Sequence, residues 1–99
     1  MVISEFQKLV YETVKKIPFG QVLSYKQVAK SMGKPKSFRA VGNALNKNPF
    51  APKVPCHRVI RSDGKVGGFV SGQAVKIKLL KKEGIIIKNN KIINLKNIK

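Results

Sequence analysis

The chain has 99 residues, which suits one compact domain with a modest core and excludes two. Lysine and arginine number 21 against 4 acids, a formal net charge of +17, so a compact state repels itself unless an anionic partner is normal company; nucleic acid is the commonest such partner and a membrane surface its main rival. A single cysteine excludes an internal disulfide, one histidine among scattered acids supplies no ligand set for a metal, and no stretch approaches the roughly 20 apolar residues of a spanning helix.

The first element, "SEFQKLVYETVKKI", places Phe6, Leu9, Val10, Thr13, Val14 and Ile17 at helical spacing. Ser4 and Gln7 form a capping box at its start, and Pro18-Phe19-Gly20 ends it. The helix reads as core, with no chemistry in it. Glu5 near the N-terminus, in place of a basic stretch followed by an apolar one, argues against a secretory leader, so the expected setting is soluble and intracellular.

In "SYKQVAKSMGKPKSFRAVGNALNKN", Ser24 and Gln27 form a second capping box, Val28, Ala29 and Met32 supply an apolar face, Gly33 stands at the left-handed position after the helix, and Pro35 forbids continuation. Ser37 is placed to cap another short helix carrying Val41, Ala44 and Leu45. Two short helices around a glycine-containing turn make a helix-turn-helix pattern, and Lys26, Lys30, Lys34, Lys36 and Arg39 cluster about that turn. The second helix is a poor major-groove reader, because Ala40, Gly42 and Ala44 leave Arg39 as its only long donor near the start. Small residues there permit close approach to a minor groove, or simply pack against the preceding helix.

"NPFAPKVPCHRVI" follows, with Pro49, Pro52 and Pro55 at intervals of three, and reads as a rigid extended strap that delivers Cys56 to a fixed place. Cys56 and His57 are adjacent, which suits either a small buried thiol beside a satisfied imidazole or a nucleophile beside its base. Side chains of neighbours on an extended strand point apart, so the two would meet only across a turn or through a water. A third group, one of the four acids, would then orient the imidazole. Among so many cations the Cys56 pKa is expected below the ordinary value of about 8.5.

The segment "DGKVGGFVSG" is a hairpin turn or a glycine-rich pocket wall. A last helix, "QAVKIKLLKKEG", would turn Ala74, Ile77 and Leu80 inward and end at Gly84. The tail "IIIKNNKIINLKNIK" has two β-branched runs about Asn89-Asn90 and reads as a β-hairpin. The fold class that results is mainly α with small β elements, a single domain over 1–99 resembling a winged helix, with a helix-turn-helix and a C-terminal hairpin.

"PCHRVI", preceded by "SYKQVAKSMGKP" and "RAVGNALNKNP" and followed by "GKVGGF" and "LLKKEG", resembles the C-terminal domain of the O⁶-alkylguanine-DNA alkyltransferases, the methylated-DNA-protein-cysteine methyltransferases, from about Phe6 to Gly84. The resemblance implies that duplex DNA carrying O⁶-alkylguanine is the partner. The base is rotated out of the stack through the minor groove, and Cys56 accepts the alkyl group irreversibly, each molecule acting once. It implies a water-linked relay of Cys56, His57 and Glu83, with Tyr25 aiding departure of the guanine. Arg39 would be the finger that fills the vacated stack, Ala40 and Gly42 would seat the helix in the groove, and Tyr25, Lys26, Lys34 and Ser62 would contact the DNA backbone. Asn48 and Pro55 would brace the active-site strap; Phe69, the Val70 amide and Lys76 would line or support the pocket.

No cofactor or metal is implied, no membrane attachment, a monomer is expected, and the location would be cytoplasmic on the nucleoid, or nuclear. Family members usually carry another domain ahead of this one, so the chain is expected to be a natural short form or a cut chain. Alkyltransferase-like proteins, which bind lesions without removing the alkyl group, resemble the same domain but carry Trp where Cys56 stands. A non-catalytic lesion binder and a small basic DNA-binding protein with a structural cysteine are therefore the alternative readings.

Overall fold

The computed structural model describes residues 3–50, 53–69 and 72–93. Both capping boxes form. Ser4 Oγ accepts from the Gln7 amide and Gln7 Oε1 from the Ser4 amide, each at 3.0 Å, opening α1 (Glu5–Val14). The Ser24 and Gln27 pair does the same at 3.1 and 2.8 Å for α2 (Tyr25–Ser31). Gly33 follows at φ +76°, a conformation that suits glycine, and Pro35 opens a 3₁₀ turn (Pro35–Ser37) that leads into α3 (Phe38–Asn46). Ser37 occupies the cap position of α3 without a side-chain cap bond. Its backbone, at φ −92° and ψ 15°, lacks the extended geometry that aims a cap oxygen at the first amides.

Helices α1, α2 and α3 close on a core of Val10, Tyr11, Val14, Ile17, Val28, Ala29, Val41, Ala44 and Leu45, to which Val54, Cys56 and Val59 also belong. Phe6 packs against its margin, and both Phe6 and Leu9 are half-buried. The buried Tyr11 hydroxyl donates to the Ala44 carbonyl at 2.7 Å and so ties α1 to α3 without leaving a polar orphan.

A second cluster, Val22, Ile60, Val66, Leu80, Ile85 and Ile92, lies beneath α4 (Gln73–Lys82) and the hairpin of β3 (Ile87–Lys88) and β4 (Lys91–Ile92). Asn89 and Asn90 take φ values of 52° and 61°, as the expected two-residue hairpin turn requires, and the tail beyond residue 93 lies outside the described residues. Lys65 bridges to Lys91, so the Asp63-Gly64 turn lies beside β4 as part of the wing. Within "DGKVGG" the hairpin turn forms. Arg61 and Lys65 close a tight turn, with the Arg61 amide 2.9 Å from the Lys65 carbonyl, and the chain beyond runs past Tyr25.

Two short strands join the clusters. β1 (Leu23–Ser24) runs parallel to β2 (Val59–Ile60), with Leu23 opposite Val59 and Ser24 opposite Ile60. β1 enters α2 directly, and β2 leaves the Cys56 segment directly, so this seam fixes the helix pair against the thiol.

Two expectations are corrected. The strap does not stay extended: a 3₁₀ turn spans Cys56–Arg58, with the Arg58 amide 2.9 Å from the Pro55 carbonyl. Only a turn brings both adjacent side chains inward, and Cys56 and His57 are each 4% exposed. On α4, Leu80 is buried and Ile77 half-buried, but Ala74 is exposed and Lys76 is fully buried. The inward face follows the Lys76 and Leu80 pair at i, i+4, a phase that hydrophobicity alone misplaces. No helix among the described residues is long and apolar enough to cross a membrane.

Candidate active site

The 3₁₀ turn buries Cys56 in the helical core next to Asn48, itself 4% exposed. Asn48 Nδ2 donates to the Val54 carbonyl at 3.0 Å, and its Oδ1 accepts from the Phe50 amide at 2.9 Å. The junction between α3 and the cysteine turn is therefore braced from both sides, with buried Pro55 just before the thiol.

His57 Nε2 lies 2.6 Å from Glu83 Oε2, and both side chains are 6% exposed. Glu83 ends α4, where Gly84 at φ +86° turns the chain away, so the helix length sets where the carboxylate meets the imidazole. Three further donors reach that carboxylate. The Gly20 amide donates to Oε1 at 2.9 Å, and Arg58 clamps both oxygens from Nε and Nη2 at 2.9 to 3.1 Å. Phe69 closes the other side of His57 with an edge-to-face contact at 6.4 Å.

Burial dominates the electrostatics. It pushes the Cys56 thiol up from 9.0, while a hydrogen bond from Asn48 and the charge of Lys76 pull it down without cancelling the rise. The expected depressed thiol pKa is thus overturned, because a thiolate loses more solvation here than its neighbours restore. Burial likewise lowers the His57 pKa, with Glu83 opposing and Arg58 and Lys76 reinforcing the effect. Burial raises the Glu83 carboxyl, but bonds from Arg58, Gly20 and His57 outweigh it and hold the group below 4.5. The resting arrangement is a neutral thiol and a neutral imidazole facing a fixed carboxylate.

Lys76 is 0% exposed and donates to the Val59 carbonyl at 2.6 Å and the Gly68 carbonyl at 3.0 Å. Burial brings its pKa down to about 8, with Cys56 opposing. Its ammonium stands 5.9 Å from the centre of the Tyr25 ring. Burial raises the Tyr25 pKa, the Cys56 charge adding to the rise, which keeps the hydroxyl a donor at neutral pH. Gly67, at φ +80°, passes so close that an added Cβ would lie 3.3 Å from the Tyr25 hydroxyl and 3.2 Å from Arg61 Cγ.

Outside this interior lies a cationic face. Tyr25, Lys26, Phe38, Arg61, Ser62 and Asp63 line a cavity of about 310 Å³. The Lys26 ammonium and Arg39 guanidinium flank the Phe38 ring at 5.3 and 5.9 Å, and Arg39 and Ala40 are exposed at the start of α3. A separate groove of about 620 Å³ between the end of α1 and α2 contains none of the predicted site residues.

The family model for the DNA-binding domain of 6-O-methylguanine DNA methyltransferase matches residues 5–85. The chain belongs to this family. It is 52% identical over 81 residues to the methylated-DNA--protein-cysteine methyltransferase of Methanosarcina acetivorans, which covers 82% of this chain and 52% of that protein. Among solved structures it is similar to Mycobacterium tuberculosis OGT in complex with DNA, with a TM-score of 0.80 and 41% identity over 83% of this chain and 51% of that one. It is also similar to S. pombe Atl1 in complex with damaged DNA containing O⁶-carboxymethylguanine, with a TM-score of 0.87 and 30% identity over 100% of this chain and 98% of that one. The chain spans about half the length of the curated methyltransferases it matches.

Against the methyltransferase pattern, the structure brings Cys56, His57, Glu83, Asn48, Pro55, Phe69, Lys76 and Tyr25 into one neighbourhood, and Lys26 and Ser62 to its outer rim. Val70 lies outside the described residues. Lys34 is not brought there; it lines a groove with Glu5, Lys8 and Glu12 of α1. Gly42 faces inward, since an added Cβ would meet the Tyr25 ring at 3.8 Å, so its smallness makes room for Tyr25, and Ala40 alone of the two presents a small surface outward.

Sequence reasoning missed Arg58 and the Gly20 amide. The signal for Arg58 was present: one buried carboxylate in a chain of charge +17 attracts more than an imidazole, and Arg58 directly follows the histidine.

Proposed function

We propose that this chain repairs alkylated DNA by moving the alkyl group of an O⁶-alkylguanine onto Cys56, once per molecule. The observation that carries the reading is the buried Cys56 thiol on the same turn as His57, whose Nε2 is held by Glu83. The thiol proton passes to His57 Nδ1, directly or across a water, while Glu83 steadies the imidazolium that forms. Sulfur then bonds to the alkyl carbon as the carbon–O⁶ bond breaks. The electron pair returns to the guanine ring, which gains a proton equivalent to the one the thiol lost. Tyr25 donates a hydrogen bond to the departing base.

Because the thiol rests neutral, activation occurs when the base arrives, and a stable thioether leaves the protein spent. The partner is duplex DNA with the lesion extruded through the minor groove, Arg39 occupying the gap and Lys26 and Ser62 holding the backbone. The protein acts as a monomer, inside the cell where its DNA lies.

Binding without transfer is the second reading, favoured by the match to nearly the whole of Atl1. It leaves the relay behind Cys56 without use. Incubation with a duplex containing O⁶-methylguanine, followed by whole-protein and peptide mass measurement, decides between them. Repair predicts one methyl group per molecule on Cys56. Tight lesion binding with no mass gain would establish the second reading.

A further inference from the structure

Arg58 has no task in the transfer just described, yet it contacts two separate segments, residues 17–19 and the end of α4. Its Nε lies 2.9 Å from Glu83 Oε1 and 3.1 Å from Oε2, Nη2 donates to Oε2 at 3.0 Å, and Nη1 donates to the Ile17 carbonyl at 2.8 Å. The Phe19 ring stands 5.8 Å from the guanidinium carbon, and the Arg58 side chain is only 17% exposed. A guanidinium held this firmly is a fixed charge at a fixed distance from the relay.

The carboxylate it clamps is the one that faces His57. A buried carboxylate paired with an imidazole alone draws a proton onto that ring and holds it there. One already shared with a guanidinium and the Gly20 amide does so less. We propose that Arg58 is a positioning residue: by clamping both oxygens of Glu83 it keeps the carboxylate charged and His57 neutral, with Nε2–H directed at Glu83 and Nδ1 left to take the Cys56 proton. The inference rests on the alkyl-transfer reading only for the use of that proton.

Every element around the imidazole bears on this. Glu83 faces it from the end of α4, Lys76 from the middle of the same helix, and Arg58 and Cys56 from its own turn, while Phe69 presents an uncharged ring edge. Burial, Arg58 and Lys76 favour the neutral ring; Glu83 alone favours the charged one, and the balance lies below the ordinary 6.5. Arg58 thus removes part of what would otherwise protonate the base before substrate arrives. A role confined to stapling residues 17–20 to α4 would change stability and leave the imidazole titration where it was.

His57 is the only histidine and Cys56 the only cysteine, so imidazole NMR signals and a thiol reagent each report a single residue. The experiment titrates His57 in the wild-type chain, Arg58→Gln and Arg58→Lys, with thermal melting as the check on folding. The wild-type midpoint is expected below 6.5. Arg58→Gln should raise it by about one unit or more, and Arg58→Lys by less, since lysine keeps a charge but cannot clamp both oxygens. Methyl transfer should follow: the ratio of single-turnover rates at about pH 8 and pH 6 should grow by about tenfold in Arg58→Gln, because its base is protonated at the lower pH.

Equal midpoints in the folded proteins, or a fall in either variant, would overturn the proposal. Should Arg58→Gln not fold, Arg58→Lys decides by the same criterion. The two readings fail separately. Shifted midpoints with no methyl transfer by the wild-type chain would remove the repair reading and leave the part of Arg58 standing; unshifted midpoints with normal transfer would do the reverse.

Discussion

The cations of this molecule fall into two regions that use the same charge in opposite ways. Inside, Lys76 and Arg58 are fixed by named acceptors: two backbone carbonyls for the first, a carboxylate and a carbonyl for the second. Outside, Lys26 and Arg39 stand beside the Phe38 ring, and Lys34 lines an open groove on α1. The interior pair tunes proton positions on Cys56 and His57. On the proposed function, the exterior set offers charge to the DNA polyanion, where each contact adds a modest, salt-sensitive increment. A loss inside should therefore change chemistry with binding intact, and a loss outside should do the reverse.

The largest break is at the thiol. Cys56→Ser should abolish methyl transfer and leave duplex affinity nearly unchanged, as read by protein mass and by a binding titration; a serine variant that still gains methyl groups would end the division drawn here. Next comes Glu83→Gln, which keeps the shape but gives up the charge shared by His57 and Arg58. Transfer should slow by about 10- to 10⁴-fold, the span for positioned acid–base groups, with little change in binding. Equal single-turnover rates would reduce Glu83 to a helix-end residue.

Arg39→Ala tests the exterior where it is asked to do more than attract. It should slow repair of a lesion in a stable base pair far more than transfer from free O⁶-methylguanine, since only the duplex reaction meets an unstacking cost of about a few kcal/mol. The same factor on both substrates would move Arg39 into the pocket or the fold. Lys34→Ala should have the smallest effect. Its place beside Glu5 and Glu12 argues for a drop in the salt slope of about one unit or less, equal on damaged and intact duplexes. A selective loss on damaged DNA would bring Lys34 into the lesion-reading surface.

What the sequence made legible were features with local rules. The Ser4 and Ser24 capping boxes, Gly33 after α2 and the Asn89-Asn90 turn each depend on a few adjacent residues, and all are present. Cys56 and His57 stood out by being unique, and the family motif added Glu83, which no spacing rule ties to His57 across 26 positions. Illegible were the quantities that depend on what surrounds a group in space. The thiol pKa was expected to fall because cations are numerous, but most of them are solvated and distant, and burial sets the sign. Hydrophobic spacing on α4 turns Ala74, Ile77 and Leu80 inward and passes over Lys76, since a charged residue is rarely fully buried, so only the family resemblance sets Lys76 at the pocket; the Val59 and Gly68 carbonyls that hold it come from other parts of the chain. Gly42 is small for the sake of Tyr25, a neighbour 17 positions earlier that no helical wheel displays.

The parallel pairing of β1 and β2 has only two rungs, Leu23 to Val59 and Ser24 to Ile60. Tyr25 begins the residue after one strand ends, and Cys56 lies three residues before the other begins. The ladder is thus a ruler laid between the Cys56 sulfur and the helix pair. A slip of one rung would displace the thiol by about 3.3 Å relative to Tyr25 and turn Val59 and Ile60 from their respective cores. Because Val59 belongs to one cluster and Ile60 to the other, both cores oppose that slip at once. The placement of the Cys56 thiol is held by two independent hydrophobic votes, cast by adjacent residues on opposite faces of a single short strand.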